Sequence, residues 1–288
     1  MKAYLDIVQK VLGSGFRKTN RTGVDALTIA GTMFEHDMAE GFPLLTTKKV
    51  PFKMVSSELE FFIRGITDKE WLKEQKNTIW DEWCSPDVVP YGNDEQTKAM
   101  MMNERELGPV YGWQWRNFGA DYISHNLPPE GYGVDQLQKL VQTLKTDPDN
   151  RRMIVIAWNP RDLSRMALPP CHYAFQITVI NGKVNLLWNQ RSVDVALGLP
   201  FNIASYGCLL HLLAKEAGLG EGKLIGFLGD THIYVNHIDG IRRQLERTPK
   251  ELPQIKTENF TSIFNWHYQD TVIENYDPHP AIKFEIAV

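Results

Sequence analysis

The run Ile203 to Ala217 has the length and spacing of a helix but lacks a polar side, and Gly218 ends it. A helix that is apolar nearly all round is buried all round, so the rest of the chain must be built around it. Shorter amphipathic helices fit residues 4–13 (Tyr4, Ile7, Val8, Val11, Leu12), Lys53 to Arg64 before Gly65, and Gly133 to Thr146 before Asp147-Pro148. Ala26 to His36 reads as strand, turn, strand, and Met153 to Trp158 as a short strand. Tyr173 to Ile180 and Lys183 to Arg191 read as a hairpin through Asn181-Gly182, since that dipeptide suits a tight turn with two positive φ angles. Leu224 to Leu228 reads as a strand, His232 to Glu246 as a helix, and Ala281 to Val288 as a final strand. Residues 84–107 are polar and turn-rich, the pattern of an insertion or mobile loop. Helices and strands mix without a βαβ rhythm, an internal repeat or a low-complexity linker. This predicts an α+β fold with one large sheet, a single domain over residues 1–288.

Composition narrows the function classes. Hydrophobic residues make up 43% and charged residues 23%, as in ordinary soluble domains. A net charge of −4 gives no global field to gather nucleic acid, so any anion site must be local. The three cysteines, Cys84, Cys171 and Cys208, argue for a reducing compartment and offer no zinc-type pairing. The first residues read as an amphipathic helix and not as a signal sequence, and no apolar run approaches the roughly 20 residues that span a bilayer. The expectation is a cytoplasmic protein that binds neither membrane nor DNA.

Four constellations could carry chemistry. Cys171 stands in Leu168-Pro169-Pro170-Cys171-His172. Two prolines stiffen the backbone, which lets a thiol be aimed, and Arg191 nearby in sequence could favour its thiolate; a buried structural cysteine is the competing explanation. Arg21, Arg151, Arg152, Arg191 and Ser192 could form an anion site, because guanidinium forks match phosphate oxygens. Asn202 closes the tight apolar stretch from Leu197; its carboxamide could read a lactam edge such as that of uracil, or simply cap a helix starting at Ile203. Glu58, Asp194, His232 and Tyr234 are proton-transfer candidates, the last two placed at a helix start. Asp194 would share a strand face with Ser192 if the strand continues. Trp80, Trp83, Tyr111, Trp113 and Trp115 could be core or a stacking wall for a flat ligand.

Longer motifs accompany these residues: Gly41-Phe42-Pro43-Leu44-Leu45-Thr46-Thr47-Lys48-Lys49, Ile79-Trp80-Asp81-Glu82-Trp83, Gly108-Pro109-Val110-Tyr111-Gly112, Gln190-Arg191-Ser192, Asn202-Ile203-Ala204-Ser205-Tyr206 and Gly229-Asp230-Thr231-His232-Ile233-Tyr234. With them the chain resembles the thymidylate synthase family from nearly end to end. That resemblance implies a mixed sheet flanked by helices, an obligate homodimer through the sheet, and conversion of dUMP to dTMP with 5,10-methylenetetrahydrofolate and no metal. It implies that Cys171 adds to C6 of dUMP and that Arg21, Arg191 and Ser192 hold the phosphate, joined by Arg151 and Arg152 from the partner subunit. By the same resemblance Asn202 would read uracil, His232 and Tyr234 would bind the deoxyribose, and Glu58 and Tyr111 would serve proton transfer. Asp194, Lys48, Ile79, Trp80, Trp83, Leu197, Gly198 and Phe201 would hold the folate, with Val288 closing over it.

The chain departs from the family pattern at Val24-Asp25, Glu60, Asn189, Ala196 and Gly207. Reduced bulk or added polarity near the site could admit water. Water in place of hydride would yield 5-hydroxymethyl-dUMP, so a dUMP hydroxymethylase is the second expectation. A non-catalytic folate- or RNA-binding protein on this scaffold is a third.

Overall fold

The computed structural model describes residues 1–20 and 22–285. Its core is the apolar helix, here Gly198–Ala217, whose residues from Leu199 to Ala214 are almost all buried. It packs on a six-stranded sheet with strand order β1-β2-β6-β5-β4-β3. The strands are β1 (Phe16–Lys18), β2 (Ala26–Asp37), β3 (Ile154–Ile156), β4 (His172–Ile180), β5 (Lys183–Asp194) and β6 (Gly220–Tyr234). The helices are α1 (Lys2–Ser14), α2 (Phe52–Ile63), α3 (Lys69–Glu74), α4 (Glu95–Asn103), α5 (Tyr111–Asn117), α6 (Gln136–Thr146), α7 (Gly198–Ala217) and α8 (Ile238–Leu245). A separate hairpin pairs β7 (Gln254–Thr257) with β8 (Thr271–Glu274). Among the described residues no helix is long and apolar enough to cross a membrane.

The β4–β5 hairpin turns at Asn181 and Gly182, both with positive φ as expected. β5 and β6 run parallel, joined over one face of the sheet by α7. The fold therefore contains a βαβ unit that the sequence pattern concealed. Its two strands end at Asp194 and Tyr234 just where α7 begins, and the carboxyl ends of parallel strands are a favoured place for ligands.

Several expected elements differ. Ala26 to Asp37 is one strand, not two; Gly31 adopts φ +85° without losing register with β6. β6 runs from Gly220 to Tyr234, so His232 and Tyr234 lie on a strand and the helix starts at Ile238. Gly229 is there because a Cβ would come within 2.9 Å of the Arg191 carbonyl oxygen, a close approach and not a turn. Residues 281–285 form no strand, and the remainder of that expected element lies outside the described residues. The segment 84–107 contains α4 and is fastened to the body, as by Leu107 N–H to the Thr67 carbonyl at 3.1 Å and Ser85 Oγ to the Arg165 carbonyl at 2.9 Å.

Candidate active site

At the ends of β5 and β6 lies a cavity of about 350 Å³. Cys171 stands in its wall immediately before β4. The loop carrying it is held from both sides. Arg191 donates through Nε to the Pro170 carbonyl at 2.9 Å and through Nη2 to the Pro169 carbonyl at 2.7 Å. The Cys171 N–H donates to the Tyr111 hydroxyl at 2.8 Å, and its carbonyl accepts from the Arg191 N–H at 2.8 Å. Arg191 therefore finds much of its hydrogen bonding in the prolyl carbonyls and lies 5.3 Å from the Trp158 ring. It also borders a second hollow of about 710 Å³ that shares Cys171, Ser192, His232 and Tyr234 with the first.

β5 presents Gln190, Ser192 and Asp194 to the cavity with the two-residue period of a strand. Asn202 faces them from the first turns of α7; it is not the helix cap, because the helix begins at Gly198 with Pro200 tolerated in its first turn. Gln190 Nε2 donates to Asn202 Oδ1 at 3.0 Å, while Trp188 Nε1 donates to Gln190 Oε1 at 3.1 Å. This relay fixes which end of the carboxamide is oxygen. Asp194 Oδ1 accepts from the Ala196 N–H at 2.9 Å and the Leu197 N–H at 3.2 Å, shaping the turn into α7. The parallel register sets Asp194 opposite His232, whose ring stands edge-on to Tyr234 at 5.1 Å.

α2 contributes Glu58 and Phe62. The indole N–H of Trp80 donates to Glu58 Oε1 at 2.8 Å. Burial pushes the Glu58 carboxyl up to about 7, against the opposing pull of that hydrogen bond. Phe62 stacks on Tyr111 with ring centroids 4.8 Å apart. Burial, then the neighbouring Cys171, raises the Tyr111 phenol well above its usual range. His172, part of the cysteine motif but given no role in sequence, lines the cavity and shares a 2.9 Å hydrogen bond with Tyr206. Burial lowers it to about 3, so it is neutral at pH 7. Gln190 and Phe62 were likewise unassigned; the two-residue spacing from Ser192 and the four-residue spacing from Glu58 were the available signals.

Ile79, Trp80, Trp83, Leu197, Gly198 and Phe201 form the apolar side of the cavity, whereas Trp113 and Trp115, the other indoles of the expected wall, are buried in the core and do not line it. Lys48 is elsewhere. It is buried, its ammonium donates to the Ala196 carbonyl and lies 4.8 Å from the Phe284 ring, and burial lowers its pKa to about 8. Arg151 and Arg152 are exposed on the turn before β3 and do not line this cavity. Arg21 and Val288 lie outside the described residues.

A family model described as thymidylate synthase matches residues 2–288. The chain belongs to the thymidylate synthase family. It is 42% identical over 285 residues to a bifunctional dihydrofolate reductase-thymidylate synthase of Paramecium tetraurelia. That match covers 99% of this chain and 61% of the relative, so the chain spans about three fifths of the length of this curated protein. The motifs that suggested the thymidylate synthase family in sequence supply most of the lining of one cavity.

Proposed function

We propose that this chain methylates dUMP to dTMP. The observation that carries this reading is the aimed Cys171 opposite the oriented Asn202 carboxamide, in a cavity with an apolar wall on one side and a cation-bordered hollow on the other. The Cys171 thiolate would add to C6 of the pyrimidine, and the electron pair released at C5 would form the new carbon–carbon bond. Asn202 would donate to uracil O4 and accept from N3–H, a pattern that cytosine reverses. Glu58 would take up the C5 proton through water, with the Tyr111 hydroxyl assisting in the relay. The bond from the new carbon to the tetrahydrofolate nitrogen would break as that proton leaves. Hydride from the departing tetrahydrofolate would complete the methyl group and leave dihydrofolate, and elimination from C6 would return the cysteine. The co-substrate 5,10-methylenetetrahydrofolate supplies the carbon and the hydride; Ile79, Trp80, Trp83, Leu197 and Phe201 are the residues suited to its flat rings, with Asp194 for a polar edge. Arg191 and Ser192, with Arg21, would hold the phosphate in the adjoining hollow.

The site would be completed in a homodimer. Met33 and Phe227 are cross-strand partners on the sheet yet 52% and 44% exposed, and Ile154 and Ile156 on β3 are also exposed. An apolar sheet face of this kind suits a second copy. Arg151 and Arg152, remote from their own cavity, would then serve the partner's.

The hydroxymethylase reading loses its support at the departures that motivated it. Ala196 is fully buried and does not line the cavity. Gly207 faces Pro43 and Phe42, with only 3.0 Å from an added Cβ to the Pro43 ring. Glu60 turns to Arg64 at 2.6 Å and accepts from the Tyr268 N–H at 2.8 Å. Neither Asn189, Val24, Asp25 nor these residues line the cavity beside Cys171. Mass spectrometry of the product tests the proposal: a gain of about 14 mass units on dUMP is the expected methyl, about 30 would mean hydroxymethyl, and no gain would remove both.

A further inference from the structure

Lys69, at the start of α3, has 1% of its surface exposed. Its ammonium donates to the carbonyls of Met101 at 2.7 Å, Trp83 at 2.9 Å and Asp81 at 3.1 Å. Three bonds use all three donors of the charged form; a neutral amine has two. Burial lowers its pKa to about 8, and among the opposing charges is Asp81, whose Oδ1 is buried without a hydrogen-bond partner among the described residues. A buried cation is retained at a cost, so what it fastens matters. It fastens the backbone of the Trp80–Trp83 turn to the last turn of α4, the core of the polar segment 84–107. The Trp83 ring lines the cavity and meets Tyr91 edge-on at 6.2 Å. The Tyr91 hydroxyl lies within hydrogen-bonding distance of the carbonyls of Cys84 and Ala167, the latter just before the Cys171 loop.

We propose that Lys69 is a positioning residue for the folate side of the site: by tying the Asp81 and Trp83 carbonyls to α4 it sets the apolar wall without touching either substrate. This rests on the methyl-transfer reading above.

The test compares the full chain with Lys69→Met, the shorter neutral donor Lys69→Gln, and Lys73→Met. Lys73 also donates to α4, to the Met102 carbonyl at 2.7 Å, but holds no part of the wall. Lys69→Met is expected to raise KM for methylenetetrahydrofolate about tenfold or more, with KM for dUMP within about twofold and kcat within about threefold. Lys69→Gln should fall between it and wild type, and it stands in if Lys69→Met fails to fold. Lys73→Met should leave all three constants unchanged. Amide hydrogen exchange over residues 81–84 should speed in the Lys69 variants and not in Lys73→Met. An unchanged folate KM, or equal losses in every constant from Lys73→Met, would overturn the assignment. If the wild-type chain makes no dTMP the functional reading fails instead; the clamp is then judged by exchange, and unaltered exchange in Lys69→Met would overturn it.

Discussion

Two opposing forces meet at Glu58: burial favours the neutral acid, and the Trp80 indole N–H favours the carboxylate. Burial wins, and the folded chain holds this proton up to about pH 7, against an ordinary value of 4.5. If ionised Glu58 helps remove the C5 proton, kcat/KM rises through about pH 7, and Glu58→Gln loses that limb together with roughly 10²–10³ of the rate. Stability runs the other way. The native state binds this proton more tightly than the unfolded chain, so the stabilisation is complete below about pH 4.5 and is lost as pH rises through about 7. Glu58→Gln should therefore be more stable than wild type at pH 8 by roughly 1–3 kcal/mol, since each tenfold change in proton affinity is worth ~1.4 kcal/mol. The advantage should vanish at pH 4 in urea titrations. Cys171→Ala should abolish turnover while nucleotide binding persists in calorimetry; loss of the folded circular dichroism spectrum would make the cysteine structural. Asn202→Asp should move preference toward dCMP in competition assays, because the new carboxylate meets Gln190 Nε2 but cannot donate to O4 unless protonated. These residues could be singled out in sequence because side-chain chemistry is local. Asn202 was open to mistake as a cap because Gly198 and Pro200 look like loop residues, although both fit the first turn of a helix.

α5 lies so close to α2 that a Cβ on Gly112 would come within 2.4 Å of the Phe62 carbonyl oxygen and 2.7 Å of the Phe62 Cα. Neither contact can yield without moving backbone. Gly112→Ala is expected to lower stability by about 2 kcal/mol or more, visible as a lower urea midpoint with the same slope. Because Tyr111 adjoins it and supports the Cys171 N–H, kcat should fall as well. Periodicity made α2, α6, α7 and the β4–β5 hairpin legible, since each carries a regular apolar spacing, although α2 and α7 bury most of themselves and not one face. It failed where long-range contacts decide. β6 extends beyond Leu228 because β2 and β5 bond it on both sides, which no local pattern announces. β7 and β8 pair just with each other over four residues and carry little alternation. The segment 84–107 looks mobile by composition, but residues outside it hold it, among them Lys69 through the Met101 carbonyl, Thr67 through the Leu107 N–H and Arg165 through Ser85 Oγ.

The exposed apolar sheet face and the distant arginine pair make a joint prediction for the assembled molecule. The chain should sediment as a dimer, and Met33→Glu or Phe227→Glu should shift it toward monomer with loss of activity. Mixing inactive Cys171→Ala with an inactive Arg151→Ala/Arg152→Ala variant should restore about a quarter of wild-type activity after subunit exchange. Half the dimers would then be mixed, each with one intact site. Zero recovery would place both arginines in their own subunit's chemistry or outside it. Strand order is the level least legible in sequence, because β2 finds its neighbour across most of the chain, Ala26 pairing with Tyr234. On a ribosome the early strand must wait while some 200 further residues are added, on the order of 10–40 s at ordinary elongation rates. For that interval β2 can pair with just the three residues of β1, which leaves Ile29 to Asp37 without their β6 partners, so nascent chains stalled before Tyr234 should be the species that chaperones and proteases capture.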